Sequence, residues 1–345
     1  MIEIDFALLR QIGLTQTIAA QLPQSPDNAQ LVRITAIQRD WIAVHDGHKE
    51  FRARALPVLH DEHLAVGDWV LCTTRDHDER WLCALVPPTT HIARRGNDGR
   101  QHSLVSNVDT ALLVMGLDHD FNPRRLERYL AIALSAGVQP VVVLSKADIG
   151  DDVAQRVAQL RQRLPADIPL LAVDGTSDEA ALQLAPWLAE GQTLVMLGTS
   201  GAGKSTLTNT LTQARLQTGA VRKGDGRGRH TTTTRSLHQC AGGACIIDTP
   251  GLRSWQPDTD EAGLAAAFED IDVLAAGCQF RDCRHNGEPG CAVQGAIDVD
   301  RLRNYHKLLR EAQRGQQTPL DRITERAKWK VIHRAAQARS KDKRG

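Results

Sequence analysis

The chain has 345 residues, 41% hydrophobic and 24% charged. That composition excludes collagen, coiled coil and wholesale disorder, and leaves room for two or three domains. Forty-two basic against 41 acidic residues give a formal net charge of +1, but the charge is unevenly placed. Residues 322–345 hold nine Lys/Arg and two acids, and residues 215–235 hold six and one, so the remainder is acidic on balance. Seven cysteines, only three of them clustered, suit a reduced chain better than a disulfide scaffold. Glu3 and Asp5 stand where a secretory signal would need positive charge, and no run nears the ~18 apolar residues of a membrane span. The expectation is a cytoplasmic protein without membrane association.

From Leu31 to Val86 the chain alternates in short runs: LVRITAI, WIAVHD, EFRARALPV, DWVLCTT and RWLCALV. Turn-like breaks at Asp46-Gly47-His48, Gly67-Asp68 and Asp76-His77-Asp78 separate them. The pattern predicts a small β-barrel or sandwich, a five-stranded OB-fold barrel being one option. His91 to His102 read as a basic, polar connector. Thr110–Met115 is then a continuous apolar run, as a strand buried on both faces requires. A helical pattern over Pro123–Ala136 and further apolar runs at 141–144, 170–173 and 194–197 predict an α/β region with a parallel sheet, from about Asn107 to Trp255. Residues 254–277 carry six acids and no Lys or Arg. Beyond them, Leu302, Tyr305, Leu309 and Ala312 form one stripe at helical spacing, and Thr318-Pro319-Leu320-Asp321 reads as a helix start leading into the basic tail. The expected division is a barrel with its leader (1–90), an α/β domain (91–255) and a helical C-terminal domain (256–345).

Gly198-Thr199-Ser200-Gly201-Ala202-Gly203-Lys204-Ser205 fits G-x-x-x-x-G-K-[ST] at every fixed position, between a buried run and a helical one. Such a loop converges backbone N–H groups and a helix N-terminus on phosphate. Lys204 would reach the β/γ-phosphates and Ser205 would ligate Mg²⁺. Asp248-Thr249-Pro250-Gly251 ends a further apolar run, where a carboxylate serving Mg²⁺ and a glycine N–H serving the γ-phosphate belong. Ser145-Lys146-Ala147-Asp148 follows the strand at 141–144. In GTPases the equivalent run is Asn-Lys-x-Asp, whose buried Asp accepts from the guanine N1–H and 2-amino group, a donor pair adenine lacks. Lys146 can lay its stem over the base. Ser145 stands where Asn is usual, and should lose an amide that braces the neighbouring loops. Val173–Thr176 is a weaker candidate for the guanine edge.

The motif order is unusual. The guanine run precedes the phosphate loop, which precedes Asp248–Gly251, so the sheet is expected to be that of a circularly permuted P-loop GTPase. Between the phosphate loop and Asp248 lies a Gly-rich basic segment ending His230-Thr231-Thr232-Thr233-Thr234, in the place of a first switch. Thr232 or Thr233 would complete the Mg²⁺ coordination. Leu252 replaces the glutamine that orients water in many GTPases, which makes His230 the candidate water-orienting group beside Lys204, and predicts slow hydrolysis stimulated by a partner. Finally, Cys278-x4-Cys283-x-His285-x5-Cys291 supplies three thiolates and an imidazole, a closed set for one structural Zn²⁺.

The order SKAD, GTSGAGKS, GRHTTTT, DTPGL and CQFRDCRHNGEPGCA resembles the RsgA/YjeQ family of small-ribosomal-subunit-dependent GTPases, over most of the chain apart from its first thirty residues. The resemblance implies an OB-fold, a permuted GTPase domain and a C-terminal zinc-binding α domain. It also implies a monomer that binds the small subunit and its rRNA late in assembly and leaves on subunit-stimulated GTP hydrolysis. Gly201, Gly203, Lys204, Ser205 and Thr206 carry over as phosphate and Mg²⁺ contacts, Lys146 and Asp148 as guanine contacts, and the three cysteines with His285 as zinc ligands. Arg33, Arg39, Lys49, Arg52 and Arg54 are candidates for an RNA-facing side of the barrel, and the basic tail for phosphate neutralisation. Two other readings are a GTPase that delivers zinc to a client and a nucleotide-gated RNA-binding module in which turnover is incidental.

Overall fold

The computed structural model describes residues 4–24, 28–59, 64–75, 78–95, 101–212, 235–249 and 260–316. The alternating runs form β1 (Gln30–Ile37), β2 (Ile42–His45), β3 (Glu50–Ala55), β4 (Trp69–Thr74) and β5 (Arg80–Leu85). Antiparallel pairing joins β1 to β2 and β4, β2 to β3, and β4 to β5, and β3 runs parallel to β5. The five strands therefore close on themselves in the order 1-2-3-5-4, which resolves the barrel-or-sandwich choice as an OB-type barrel. At the β2–β3 turn, Asp46 Oδ1 accepts from the N–H groups of His48 and Lys49 at 2.9 and 2.8 Å, and Gly47 takes φ +96°. This is the side-chain-capped turn that an Asp-Gly pair favours. The interior holds Val32, Ile34, Val44, Val70 and Leu82.

The expected polar connector is in fact a hairpin, β6 (His91–Arg95) with β7 (Gln101–Ser106). Polar composition hid its pattern, but Ile92, Leu104 and Val105 are buried against the α/β core. The main sheet then adds β8 (Thr110–Gly116), β9 (Gln139–Ser145), β10 (Leu170–Ala172), β11 (Thr193–Leu197), β12 (Ser236–Gln239) and β13 (Cys245–Asp248). Its order is β10-β9-β8-β11-β13-β12. All neighbours are parallel except β12 with β13. β11 comes fourth among these strands in the chain yet sits centrally between β8 and β13. Motifs read in permuted order therefore meet at one edge, because each follows the C-terminal end of a parallel strand. One further pair, Ala36 with Ser236, continues the sheet into the barrel.

Two short helices, α1 (Phe6–Arg10) and α2 (Gln16–Ala19), capped by Asp5 and Thr15, bury Leu9, Ile12, Leu14 and Ile18 against Trp69, Leu71, Val86 and Cys245. The leader thus fills the seam between barrel and sheet. Arg33 lies in that seam and is completely buried, which removes it from the predicted RNA-facing set. Its guanidinium donates to the carbonyls of Ile12, Gly67 (3.3 Å) and Asn107 (3.1 Å) and to Thr193 Oγ1 (2.9 Å). A Cβ at Gly13, where φ is +89°, would lie 2.0 Å from Arg33 Nη1, so glycine is required there. Arg39, Lys49, Arg52 and Arg54 are exposed, with Arg52 stacked on Trp41 at 4.4 Å.

α3 (Pro123–Ser135) begins at the Asn122 cap with Pro123 in its first turn, and packs on the sheet through Leu126, Leu130 and Ala133. α4 (Val153–Arg161), α5 (Asp178–Leu184) and α6 (Lys204–Thr212) complete the layers. The acidic stretch supplies α7 (Glu261–Ala267) and α8 (Glu269–Ala275), and α9 spans Val299–Gln316. Gly263 of α7 passes so close to Ser135 of α3 that a Cβ would lie 2.0 Å from its Oγ. The inner line of α9 is Arg301, Asn304, Leu308 and Ala312, while the expected stripe residues Leu302, Tyr305 and Leu309 flank it half-buried. Polar residues occupy that line because α3 carries Glu127, a buried carboxylate that accepts from Arg301 (2.8 Å), Asn304 and Arg163 (3.4 Å). Arg301 also donates to Asp270 at 2.7 and 2.8 Å, so one charge network fastens the C-terminal helices to the α/β body. The basic tail and the helix start at 318–321 lie outside the described residues.

Candidate functional site

The buried strand β11 ends at Gly198, which runs against β8: a Cβ there would lie 2.5 Å from the Val114 carbonyl. Gly201 and Gly203 take φ +85° and +92°, backbone that favours glycine. Lys204, the first residue of α6, is buried and donates from Nζ to the carbonyls of Gly198 (3.0 Å) and Thr199 (2.8 Å). Burial brings its pKa down to about 8, against the opposing pull of Asp248 and Asp120. Thr199 and Ala202 are buried, Ser200 is exposed, and Ser205 and Thr206 are half-buried in the first turn of α6. Asp248 is buried at the end of β13, and Thr249 donates to the Met196 carbonyl at 2.6 Å.

The run 145–148 ends β9 beside this loop. Ser145 is buried and its hydroxyl donates to the Ala202 carbonyl at 2.6 Å. The expected loss of a brace is therefore not what the structure shows: the shorter side chain spans the gap itself, because Gly203 lets the loop approach to 3.1 Å from Ser145 Oγ, measured from an ideal Cβ. Lys146, at φ +62°, donates to the Gly201 carbonyl at 2.7 Å. Ala147 N–H donates to the Val173 carbonyl at 3.1 Å, which brings the weaker guanine-edge candidate, 173–176, alongside. That loop is closed by Asp174, which accepts from the N–H and hydroxyl of Thr176, and is held to α6 by Thr210, whose hydroxyl donates to the Gly175 carbonyl at 2.7 Å. Asp148 is exposed in the turn after β9 rather than buried.

Two carboxylates join the site without having been singled out in the sequence. Asp118 accepts from Lys146 Nζ at 2.7 Å. Asp120 accepts from Thr199 Oγ1 at 2.7 Å and pairs with Arg125 at 2.8 Å. Their signal was positional: they immediately follow a strand buried on both faces, at the sheet edge where ligands of α/β folds bind.

Away from this edge, the ligand atoms of Cys278, Cys283, His285 and Cys291 all lie within 4.8 Å of one another. His285 Nδ1 is 3.6 Å from Cys278 Sγ and 3.4 Å from Cys291 Sγ. Tetrahedral zinc, with bonds of ~2.3 Å to sulfur and ~2.0 Å to nitrogen, sets sulfur and nitrogen about 3.5 Å apart. The backbone N–H groups of Ala292 and Gln294 approach the sulfurs of Cys278 and Cys291 at 3.4 Å, as suits thiolates. The cluster is compatible with zinc. His230, Thr232, Thr233, Gly251 and Leu252 lie outside the described residues.

Comparison with known proteins agrees with this arrangement. The profile of the RsgA GTPase family matches residues 86–258. The Small ribosomal subunit biogenesis GTPase RsgA of Xylella fastidiosa (strain M23) is 50% identical over 255 residues, which cover 72% of this chain and 75% of the relative. Its counterpart in Xanthomonas axonopodis pv. citri is 47% identical over 259 residues, covering 72% and 70%. Among solved structures, YjeQ from Thermotoga maritima shares the fold with a TM-score of 0.60 at 22% identity, covering 83% of this chain and 99% of that one. YloQ, described as a circularly permuted GTPase, does so at 0.59 and 21%, covering 86% and 99%. A permuted sheet with both nucleotide motifs at one edge, half the chain under the family profile and relatives at such identity place the chain in the RsgA GTPase family.

Proposed function

We propose that the protein is a GTP hydrolase of small-ribosomal-subunit biogenesis, working in the cytoplasm as a monomer on the subunit's rRNA, with hydrolysis stimulated by the subunit and coupled to release. The observation that carries this reading is the junction of the two motifs, where Ser145 meets Ala202 and Lys146 meets Gly201. In this reading the division is 1–90, 91–255 and 256–345, the last carrying one structural Zn²⁺ on Cys278, Cys283, His285 and Cys291. Relatives bearing the small-subunit name are 50% identical to this chain over 255 aligned residues.

The backbone of 198–203 and the Lys204 ammonium receive the phosphates, the N-terminus of α6 adding its dipole. Ser205 and Thr206, with Asp248 and Thr232, are the residues that would hold Mg²⁺, which neutralises phosphate charge in such reactions. Ser145, Lys146, Ala147 and Asp148 frame the guanine, and the Asp148 carboxylate matches the N1–H and 2-amino donors. Gly251 offers its N–H to the γ-phosphate, and His230 orients the attacking water in place of a glutamine. The test is the GTPase rate with and without purified small subunits. The expected result is a slow basal rate, raised strongly by subunits and absent with ATP. A rate indifferent to subunits overturns the reading.

A further inference from the structure

Asp118 belongs to neither nucleotide motif, and its carboxylate sits where the two meet. Lys146 Nζ donates to Asp118 Oδ2 at 2.7 Å and to the Gly201 carbonyl at 2.7 Å. Two of the three donors of the ammonium are therefore committed, one to an anion and one to the phosphate loop. Lys146 holds a left-handed backbone, a conformation that persists in a non-glycine residue only when its surroundings enforce it. The anion is itself held firmly. Asp118 Oδ1 accepts from Asp120 N–H at 3.0 Å, and the Arg156 guanidinium grips the carbonyl of Leu117 at 2.6 Å and that of Asp118 at 3.3 Å. Gly116 leaves room for it, since a Cβ there would lie 2.6 Å from Asp118 Oδ1. His119 Nδ1 also lies 3.3 Å from Asp118 Oδ2, on the exposed side. The Asp118 and Lys146 side chains are only about a fifth exposed, so water screens this pair less than a surface salt bridge.

We propose that Asp118 is a positioning residue for guanine nucleotide binding, anchoring the Lys146 ammonium against Gly201 so that the aliphatic stem of Lys146 forms a fixed plate for the purine ring. This rests on the guanine-binding reading given above. Asp120, two residues on, serves Thr199 of the phosphate loop instead, so the loop after β8 buttresses both halves of the site through separate carboxylates.

The test uses the full chain, with binding and release of fluorescent GDP and GTP followed in Asp118→Asn and Asp118→Ala. Both raise Kd about tenfold through faster release, the size of an interaction between two coupled groups. The kcat at saturating GTP stays within about twofold, as expected for binding uniform to ground and transition states. Inosine triphosphate, which lacks the 2-amino group, weakens by the same factor as GTP, because Asp148 is untouched. Asp118→Ala combined with Lys146→Ala binds no more weakly than Lys146→Ala alone. Additive effects in that pair, unchanged affinity in Asp118→Asn, or a fall in kcat with affinity intact each overturn the proposal. Asp118→Asn keeps the shape of the loop, so failure of the alanine variant to fold does not remove the test. Wild-type protein that binds no guanine nucleotide overturns the guanine reading itself, whereas tight binding with an additive pair overturns only the role of Asp118.

Discussion

The hydroxyl of Ser145 donates to the carbonyl of Ala202 across 57 residues of sequence, at 2.6 Å and out of contact with solvent. It ties the end of β9 to the phosphate loop, next to the bond from Lys146 Nζ to the Gly201 carbonyl. Removing it with Ser145→Ala leaves a buried carbonyl without its donor, at a cost of about 1–2 kcal/mol. Guanine nucleotide affinity, measured by titration, is expected to fall roughly five- to thirtyfold. Unchanged affinity would show that the loops keep their register without the bond.

In the proposed reading, Lys204 should make nucleotide binding sensitive to pH. With its pKa lowered to about 8 by burial, the ammonium that attracts phosphate is complete only below neutrality, and it is lost as the pH rises through 8. Affinity for GTP should be flat up to about pH 7 and then fall, approaching tenfold per unit. Lys204→Arg keeps its charge throughout, so the difference in slope between the two proteins isolates this group from titration of the nucleotide. For folding alone the sign reverses. The unfolded chain binds the proton more tightly, so this group's contribution to stability improves between about pH 8 and its ordinary value of 10.5.

Arg33 fastens the barrel to the α/β body. Arg33→Met strands the carbonyls of Ile12 and Asn107 in a dry seam, while that of Gly67 keeps the Asn107 amide as donor, and urea unfolding should record a loss of about 2 kcal/mol or more. Thr193→Val removes a single acceptor while the Ile12 carbonyl still holds the same nitrogen, so its loss should be about 1 kcal/mol. Equal and small losses in both would mean that water enters the seam.

The Cys/His cluster should hold one zinc per chain by elemental analysis, and Cys283→Ser should release it. Cys278 and Cys291 pack against the same core as α7 and α9, so metal loss loosens the C-terminal helices and lowers Tm. Basal GTP binding should survive, since the nucleotide edge lies on other elements. Stoichiometric zinc retained after Cys283→Ser would remove that residue from the ligand set.

Much of this molecule could be read from residue order because the relevant chemistry is local. The phosphate loop is eight consecutive residues between a strand and a helix, the Cys/His cluster spans fourteen, and the barrel strands alternate visibly. The hairpin at 91–106 was missed because its inward residues are few and its outward ones polar. Asp118 and Asp120 escaped for another reason: no spacing rule links a carboxylate to a lysine 28 residues away, and only the adjacency of β8 and β9 creates the pair.

Arg33 shows where sequence reading stops. β1 alternates as a surface strand should, with Val32 and Ile34 turned into the barrel and Arg33 on the opposite side, so its charge reads as solvent-facing. The leader and β11 then cover that side, and the guanidinium becomes a buried tie. The sequence by itself determined the reaction class and the permuted order, and marked out the Cys/His set that is compatible with zinc, because bond chemistry and short-range spacing suffice for them. Which side chains are dry, and which loops brace one another, was decided only by the tertiary structure. Burial and hydrogen-bond partnership depend on surfaces brought together from distant parts of the chain.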